Sequence, residues 1–150
     1  MNVLPIACHS QHQENEKIVV TYGSFDLFHI GHLNLLKRLK GLGSQLFVGV
    51  STDEFNLIKG KKTVVPYVAR AQIVEAIEFV DGVFPEENWE QKQQDIVRLG
   101  AHIFAMGDDW VGKFDHLSTH CEVVYLPRTL DVSTTEIKMQ VQQQISDKLH

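Results

Sequence analysis

Two histidines three residues apart give the clearest sign of chemistry in this chain: His29 and His32 enclose Gly31. They follow an apolar run and precede a leucine-rich amphipathic segment, so we expect them where a strand passes into a helix. A helix N-terminus offers free N–H groups and a positive dipole end. Two histidines on one turn add side-chain donors, and the glycine leaves room for phosphate oxygens. The pattern predicts a site that stabilises a phosphoryl-transfer transition state.

Other interpretations of the histidines remain open. His29 and His32 could be a helix cap and a surface residue. They could also bind zinc, although no third ligand lies near them in sequence. A separate metal site could be built on His116, His120 and Cys121, for which the alternative is ordinary surface histidine.

A second basic feature is the segment Lys59-Gly60-Lys61-Lys62, which has three lysines in four residues. It is not a P-loop, since Lys61 is followed by lysine instead of Ser or Thr, and the chain has no G-x-G-x-x-G. The segment is either a solvated loop or an anion-binding one. Arg70 is expected early in the next helix, where it could join the lysines on one ligand or form an ion pair with Glu75 or Glu78.

A third feature follows the last apolar run, where Arg128 precedes the hydroxyl residues Ser133, Thr134 and Thr135. Ser133 and Glu136 have capping-box spacing, which predicts a helix start. Three consecutive hydroxyl residues exceed what a cap needs. They could donate hydrogen bonds to phosphate oxygens, with Arg128 as a bidentate clamp.

The elements that must position these residues alternate along the chain. Apolar runs predict strands near 18–22, 46–50, 79–84, 102–106 and 122–126. Helices are predicted at 31–42, about 67–78, about 89–99 and from about 133, with residues 51–56 left in a loop. Near-continuous apolar strands that alternate with helices indicate a parallel sheet covered on both faces. We therefore predict a single doubly wound, Rossmann-like α/β domain with about five strands, whose ligand lies at the strands' carboxyl ends.

Length and composition limit the number of domains, the class of ligand and the cellular location. The 150 residues predict one domain at 17–138, an N-terminal extension at 1–16 that is expected to be flexible, and a helical tail at 139–150. With 14 Lys and Arg against 19 Asp and Glu, the net charge of −5 argues against nucleic-acid binding. An anionic ligand must therefore be held by a local basic pocket. No apolar run approaches the ~20 residues of a membrane span, and no signal peptide is expected. Two cysteines cannot form a disulfide framework, so a cytoplasmic protein is expected.

The motifs together resemble the cytidylyltransferase family of HxGH nucleotidyltransferases. The likeness covers about residues 17–138, and two blocks resemble the branch that acts on glycerol 3-phosphate. The segments that carry it are Gly23-Ser24-Phe25-Asp26, His29-Ile30-Gly31-His32, Lys59-Gly60-Lys61-Lys62, Glu87-Asn88-Trp89-Glu90-Gln91-Lys92, Met106-Gly107-Asp108-Asp109-Trp110 and Arg128 to Thr135.

The resemblance implies roles for individual residues. His29, His32, Lys61 and Arg128 would be catalytic. Nucleotide contacts would come from Ser24, Phe25, His29, Ile30, Gly31, His32, Lys61, Asp109, Arg128, Thr129, Leu130, Asp131, Val132, Ser133, Thr134 and Thr135. Lys59 and Lys92 would bind the acceptor phosphate, and Arg70 is expected to join them. No residue is expected to form a dedicated metal site.

The implied reaction joins CTP and sn-glycerol 3-phosphate to give CDP-glycerol and pyrophosphate, with Mg²⁺ as cofactor. The product would supply teichoic-acid or capsule-type polymers, and the resemblance also implies a homodimer. Two alternatives stay open. One is a nucleotidyltransferase of the same fold with another nucleotide or another acceptor, such as ribitol or ethanolamine phosphate. The other is an inactive nucleotide-binding module.

Overall fold

The fold is a five-stranded sheet with helices on both faces, seen in a computed structural model that describes residues 16–128 and 133–149. The strands are β1 (Ile18–Gly23), β2 (Gln45–Ser51), β3 (Gly82–Glu86), β4 (Ile103–Gly107) and β5 (Glu122–Leu126). Their order across the sheet is β3-β2-β1-β4-β5, and every neighbouring pair is parallel. The order reverses at β1, which is the switch point where such sheets bind ligands. The predicted fold class is confirmed.

Within the described part of the chain, five α-helices connect or follow the strands. They are α1 (Ile30–Lys40), α2 (Asp53–Ile58), α3 (Tyr67–Glu75), α4 (Gln91–Leu99) and α5 (Thr134–Leu149). Two short 3₁₀ helices, Asp108–Trp110 and Asp115–Thr119, lie between β4 and β5. Among the described residues, no helix is long and apolar enough to cross a membrane.

Burial on both faces explains why the central strands are apolar throughout. In β1, Val19 packs with Leu36 and Leu39 of α1 on one face, while Val20 belongs to a second cluster with Ile96 of α4. All five side chains are at most 2% exposed. Since each buried aliphatic side chain contributes roughly 1.5–3 kcal/mol, the two clusters fix β1 and the loop that follows it.

Two local predictions were wrong. Residues 53–58 form a helix and not a loop, because Thr52 caps it through its hydroxyl, which accepts from the Phe55 N–H at 3.1 Å. The third strand begins at Gly82 and not at Phe79, since Phe79 and Val80 pack into the core as a turn. The helix predicted from about residue 133 is α5, which runs from Thr134 to Leu149.

Candidate active site

A cavity of about 570 Å³ opens at the carboxyl ends of the strands. Residues at or just beyond the ends of β1, β3, β4 and β5 line it, together with residues 59–63, which follow α2. The residues predicted to be functional that line it are Ser24, Phe25, His29, Gly31, His32, Lys59, Lys61, Lys92, Asp109, Arg128, Ser133, Thr134 and Thr135. Among the predicted residues within the described ranges, Ile30 and Arg70 do not line it. Thr129, Leu130, Asp131 and Val132 lie outside the described residues.

The two histidines form a reciprocal cap at the start of α1. The Nδ1 atom of His29 accepts from the Gly31 N–H at 3.0 Å, and the Nδ1 atom of His32 accepts from the His29 N–H at 3.2 Å. The rings stack with centroids 3.8 Å apart. Because each Nδ1 is an acceptor, each neutral ring carries its proton on Nε2. The cap interpretation and the catalytic interpretation are therefore compatible.

Burial keeps this pair neutral. It lowers the pKa of His32 to about 4, with a further lowering from neighbouring His29 and an opposing effect of Asp26. Burial also lowers the pKa of His29. The Nε2 atom of His29 is buried and has no hydrogen-bond partner among the described residues. The cavity thus holds an N–H donor without a partner, as an oxyanion-binding site requires.

The lowered pKa predicts acid sensitivity. An unfolded histidine titrates near 6.5, so between pH 6.5 and 4 the unfolded chain binds more protons at position 32 than the folded chain. The contribution of His32 to the free energy of unfolding is complete above pH 6.5 and falls by about 3 kcal/mol as the pH approaches 4. Denaturant unfolding at pH 7, 6, 5 and 4 measures this effect. As the pH falls, the free energy of unfolding should decrease less steeply in His32→Asn than in the wild type. Equal slopes in the two proteins would contradict the neutral, buried state of His32.

The loop before the histidines has a constrained backbone. Phe25 and Leu27 adopt positive φ angles of 54° and 50°. A residue other than glycine in this conformation costs about 1–3 kcal/mol of folding free energy. A Cβ atom at Gly23 would lie 2.8 Å from the Phe25 ring, so glycine is needed for this close approach. Such strain persists only where surrounding contacts enforce it.

Asp26 supplies those contacts. Its carboxylate accepts from the backbone N–H groups of Val64 and Val65 at 2.8 and 2.9 Å and lies 3.5 Å from the Lys138 ammonium. Burial alone would raise the pKa of Asp26, but these hydrogen bonds and the charge of Lys138 hold it below its usual value. The hydroxyl of Thr134 donates to the Asp26 carbonyl at 2.8 Å. Asp26 thereby joins the histidine loop to the end of the basic loop and to α5.

Arg70 requires a correction. Its guanidinium is fully buried and donates to the carbonyls of Val65, Ser24 and Ser51 at 2.7, 2.7 and 2.8 Å. The guanidinium also forms a 2.7 Å ion pair with Asp53, so the alternative pairing with Glu75 or Glu78 is wrong as well. The direction of these bonds makes Arg70 a residue that positions the loops, not one that faces the cavity.

Lys59 and Lys92 converge on a carboxylate that the sequence interpretation did not include. Glu86, at the end of β3, forms an ion pair with Lys92 and lies 3.7 Å from the Lys59 ammonium. The Lys59 ammonium also donates to the Ser51 hydroxyl at 3.0 Å. All three ionic side chains are at most 8% exposed. We call Lys59, Lys92 and Glu86, with the aromatic rings beside them, the lysine box.

Aromatic rings form the walls of the lysine box. The Lys92 ammonium lies 4.6 Å from the Tyr22 ring centroid, 5.1 Å from that of Trp89 and 5.4 Å from that of Phe114. The Lys59 ammonium lies 4.7 Å from the Phe55 centroid. Aromatic faces attract cations, so they hold both ammonium groups with little water.

The cavity's rim is more exposed than its floor. Arg128 and Asp109 face each other with a nitrogen–oxygen distance of 3.7 Å, and their side chains are 54% and 65% exposed. An exposed pair of this kind contributes little to stability, so both groups are free to reorganise around a ligand. The Ser133 hydroxyl accepts from the Glu136 N–H at 3.1 Å, which confirms the predicted helix cap.

Lys138, Trp89, Trp110 and Glu86 are cavity residues that sequence reasoning did not single out as functional. Glu86 and Lys138 lie among other charged residues in helical or acidic segments, so no local signal marks them. Trp89 and Trp110 were part of the motif blocks, and their rings meet edge to face with centroids 5.9 Å apart. The described residues contain no group of three His, Cys, Asp or Glu side chains that could hold a metal ion.

A doubly wound sheet with paired neutral histidines at its switch point and a buried basic pocket defines a nucleotidyltransferase-type α/β protein. A model of the cytidylyltransferase-like family matches residues 20–146. The chain belongs to this cytidylyltransferase-like family.

The chain is also similar to individual proteins of known name or structure. The chain is 58% identical over 125 residues to glycerol-3-phosphate cytidylyltransferase of Bacillus subtilis strain 168, covering 83% of this chain and 97% of the relative. It is 48% identical over 125 residues to the protein of the same name from Staphylococcus aureus strain NCTC 8325, covering 83% and 95%. The predicted resemblance to that branch is confirmed. A lipopolysaccharide core biosynthesis protein from Thermoplasma volcanium GSS1 shares the fold, with a TM-score of 0.63 at 22% identity over 75% of this chain and 98% of that chain.

Proposed function

We propose that this protein transfers the cytidylyl group of CTP to sn-glycerol 3-phosphate and releases pyrophosphate. The observation that carries the proposal is one cavity that holds both a pair of neutral histidine donors and a separate pair of buried lysines. The first pair suits a triphosphate and the second suits a phosphate monoester. The names of the bacterial relatives support this choice of substrates.

The reaction is a direct in-line displacement. An oxygen of the acceptor phosphate attacks the α-phosphorus of CTP, and the new O–P bond forms as the bond to pyrophosphate breaks. The Nε2–H groups of His29 and His32 donate to phosphate oxygens as negative charge develops on them. Lys61 and Arg128 hold the nucleotide phosphates, while Lys59 and Lys92 orient the acceptor phosphate.

Mg²⁺ fits this arrangement as a companion of the nucleotide. Among the described cavity carboxylates, Asp26 accepts from backbone N–H groups and Glu86 is paired with lysine, which leaves Asp109 at the rim. Mg²⁺ commonly binds through one or two carboxylates, water and substrate phosphates. When bound, it would neutralise charge on the triphosphate.

We also propose that the protein forms a homodimer and is located in the cytoplasm. We propose that the chain is divided into an N-terminal extension, a domain at 17–138 and a C-terminal tail.

Pyrophosphate release tests the proposal directly. A coupled assay with Mg²⁺ would compare CTP, UTP, ATP and GTP, each with glycerol 3-phosphate, ribitol 5-phosphate and phosphoethanolamine. We expect the highest kcat/KM for CTP with glycerol 3-phosphate. A higher value for another pair would overturn the substrate assignment. Binding of CTP without turnover in any combination would instead identify a nucleotide-binding module.

A further inference from the structure

Glu86 is the carboxylate of the lysine box, where two ammonium groups and the Ser51 hydroxyl surround it. It is 3% exposed, accepts from the Ser51 hydroxyl at 2.5 Å and pairs with Lys92. Lys59 reaches it both directly, at 3.7 Å, and through Ser51, at 3.0 Å. A buried negative charge in a site proposed to receive a phosphate needs a physical reason, since it repels the ligand.

The charges inside the box supply that reason. Two lysines and one glutamate give a net charge of +1, whereas the lysines alone would give +2 in a space walled by aromatic rings. Burial of like charges favours loss of a proton from one of them. With the carboxylate present, Lys59 can stay protonated before any substrate arrives.

We propose that Glu86 is a positioning residue that gathers both ammonium groups in the lysine box and keeps Lys59 charged, ready for the acceptor phosphate. This inference rests on the proposed function, because it assigns the acceptor phosphate to that box. A phosphate monoester carries close to two negative charges above pH ~6, so it meets two preformed donors instead of one. Glu86 itself contacts the lysines and not the reacting atoms.

The charged groups around Lys59 agree with this role. Burial lowers the pKa of Lys59 to about 8, the charge of Glu86 opposes that lowering, and the charges of Lys61 and Lys92 add to it. The hydroxyl of Tyr22, which lies on β1, donates to Asp95 at 2.8 Å and not to the box. Loss of the Glu86 charge therefore removes the main influence that keeps Lys59 protonated near neutral pH.

Calorimetric titration of the full chain with sulfate and with glycerol 3-phosphate between pH 6.5 and 9 tests the proposal. Sulfate keeps two negative charges over this range, so its pH dependence reports the protein alone. Wild-type affinity should fall above about pH 8, as Lys59 loses its proton. In Glu86→Gln the fall should begin about one pH unit lower, which makes binding about threefold weaker at pH 7.5. Glu86→Asp, which keeps the charge, should restore most of the wild-type profile.

Glu87→Gln is the matched control, since Glu87 is the exposed neighbour of Glu86, and its profile should equal the wild type. Tighter anion binding by Glu86→Gln, or an unchanged profile, would overturn the role of Glu86. Carbon-13 titration of the lysine Cε signals in the wild type adds a test that needs no variant: a neutral Lys59 at pH 7 would also overturn it. Because anion binding is measured without turnover, absence of pyrophosphate release would refute the proposed reaction and leave this test standing.

Discussion

Replacing either His29 or His32 by asparagine is expected to lower kcat by about two to three orders of magnitude. Both rings line the cavity and carry their proton on Nε2, and the Nε2 atom of His29 is buried with no partner among the described residues. Since the donors act on charge that develops during the displacement, the loss should fall on kcat more than on the KM for CTP. Pyrophosphate release at saturating substrates measures it.

The asparagine variants distinguish the role of these histidines in capping the helix from their role as Nε2–H donors. Its side-chain oxygen can accept a backbone N–H as histidine Nδ1 does here, and asparagine is a favourable N-cap residue. The free energy of unfolding at pH 7 should therefore change by less than about 1 kcal/mol. Alanine at the same positions would remove the cap together with the donor and confuse the two effects.

His102→Asn is the matched control for both variants. The Nδ1 atom of His102 also accepts a backbone N–H, that of Ile18 at 3.0 Å, but at the opposite end of the sheet. Its kcat should equal the wild-type value. If His29→Asn and His32→Asn kept full kcat with an unchanged fold, the pair would be a structural cap and the proposed chemistry would have to come from other groups.

The sheet could be predicted from sequence because its strands are locally encoded. Val19, Val20 and the apolar runs of β2 and β4 are buried on both faces, and such runs are continuous in sequence. The six-residue α2 could not be predicted in the same way. It begins with Asp53 and Glu54 and is too short to show a helical period, so its start depends on the Thr52 cap.

In the site, too, contacts between residues close in sequence could be predicted, whereas contacts between distant residues could not. The histidine cap joins residues three apart, and the motif alone predicted its place at a helix start. Glu86 reaches Ser51 and Lys59 only because β3 lies beside β2, a pairing between distant parts of the chain. The hydrogen-bond partners of Arg70 could not be predicted for the same reason, since Ser24 and Ser51 lie 46 and 19 residues away. Sequence proximity to the lysines suggested a ligand contact, whereas the fold turns the side chain toward loop carbonyls.

The second large effect is expected at Arg70. Arg70→Met should lower the free energy of unfolding by roughly 3–5 kcal/mol, the usual cost of removing one member of a buried ionic network. The variant leaves the carbonyls of Ser24, Ser51 and Val65 without this donor, and each buried acceptor left unsatisfied costs about 1–3 kcal/mol. Arg70→Lys should recover little of the loss, because an ammonium cannot reproduce the planar fork. Denaturant unfolding at pH 7 measures both variants.

Arg98→Met provides the control, since Arg98 also pairs with an aspartate, Asp95, but has a side chain that is 57% exposed. Its unfolding free energy should change by less than about 1 kcal/mol. A ligand-binding role for Arg70 would give the opposite pattern, with an unchanged stability and a raised KM for CTP or glycerol 3-phosphate. The buried guanidinium instead ties the histidine loop to the end of β2 and to the basic loop, so loss of stability and loss of kcat should occur together in Arg70→Met.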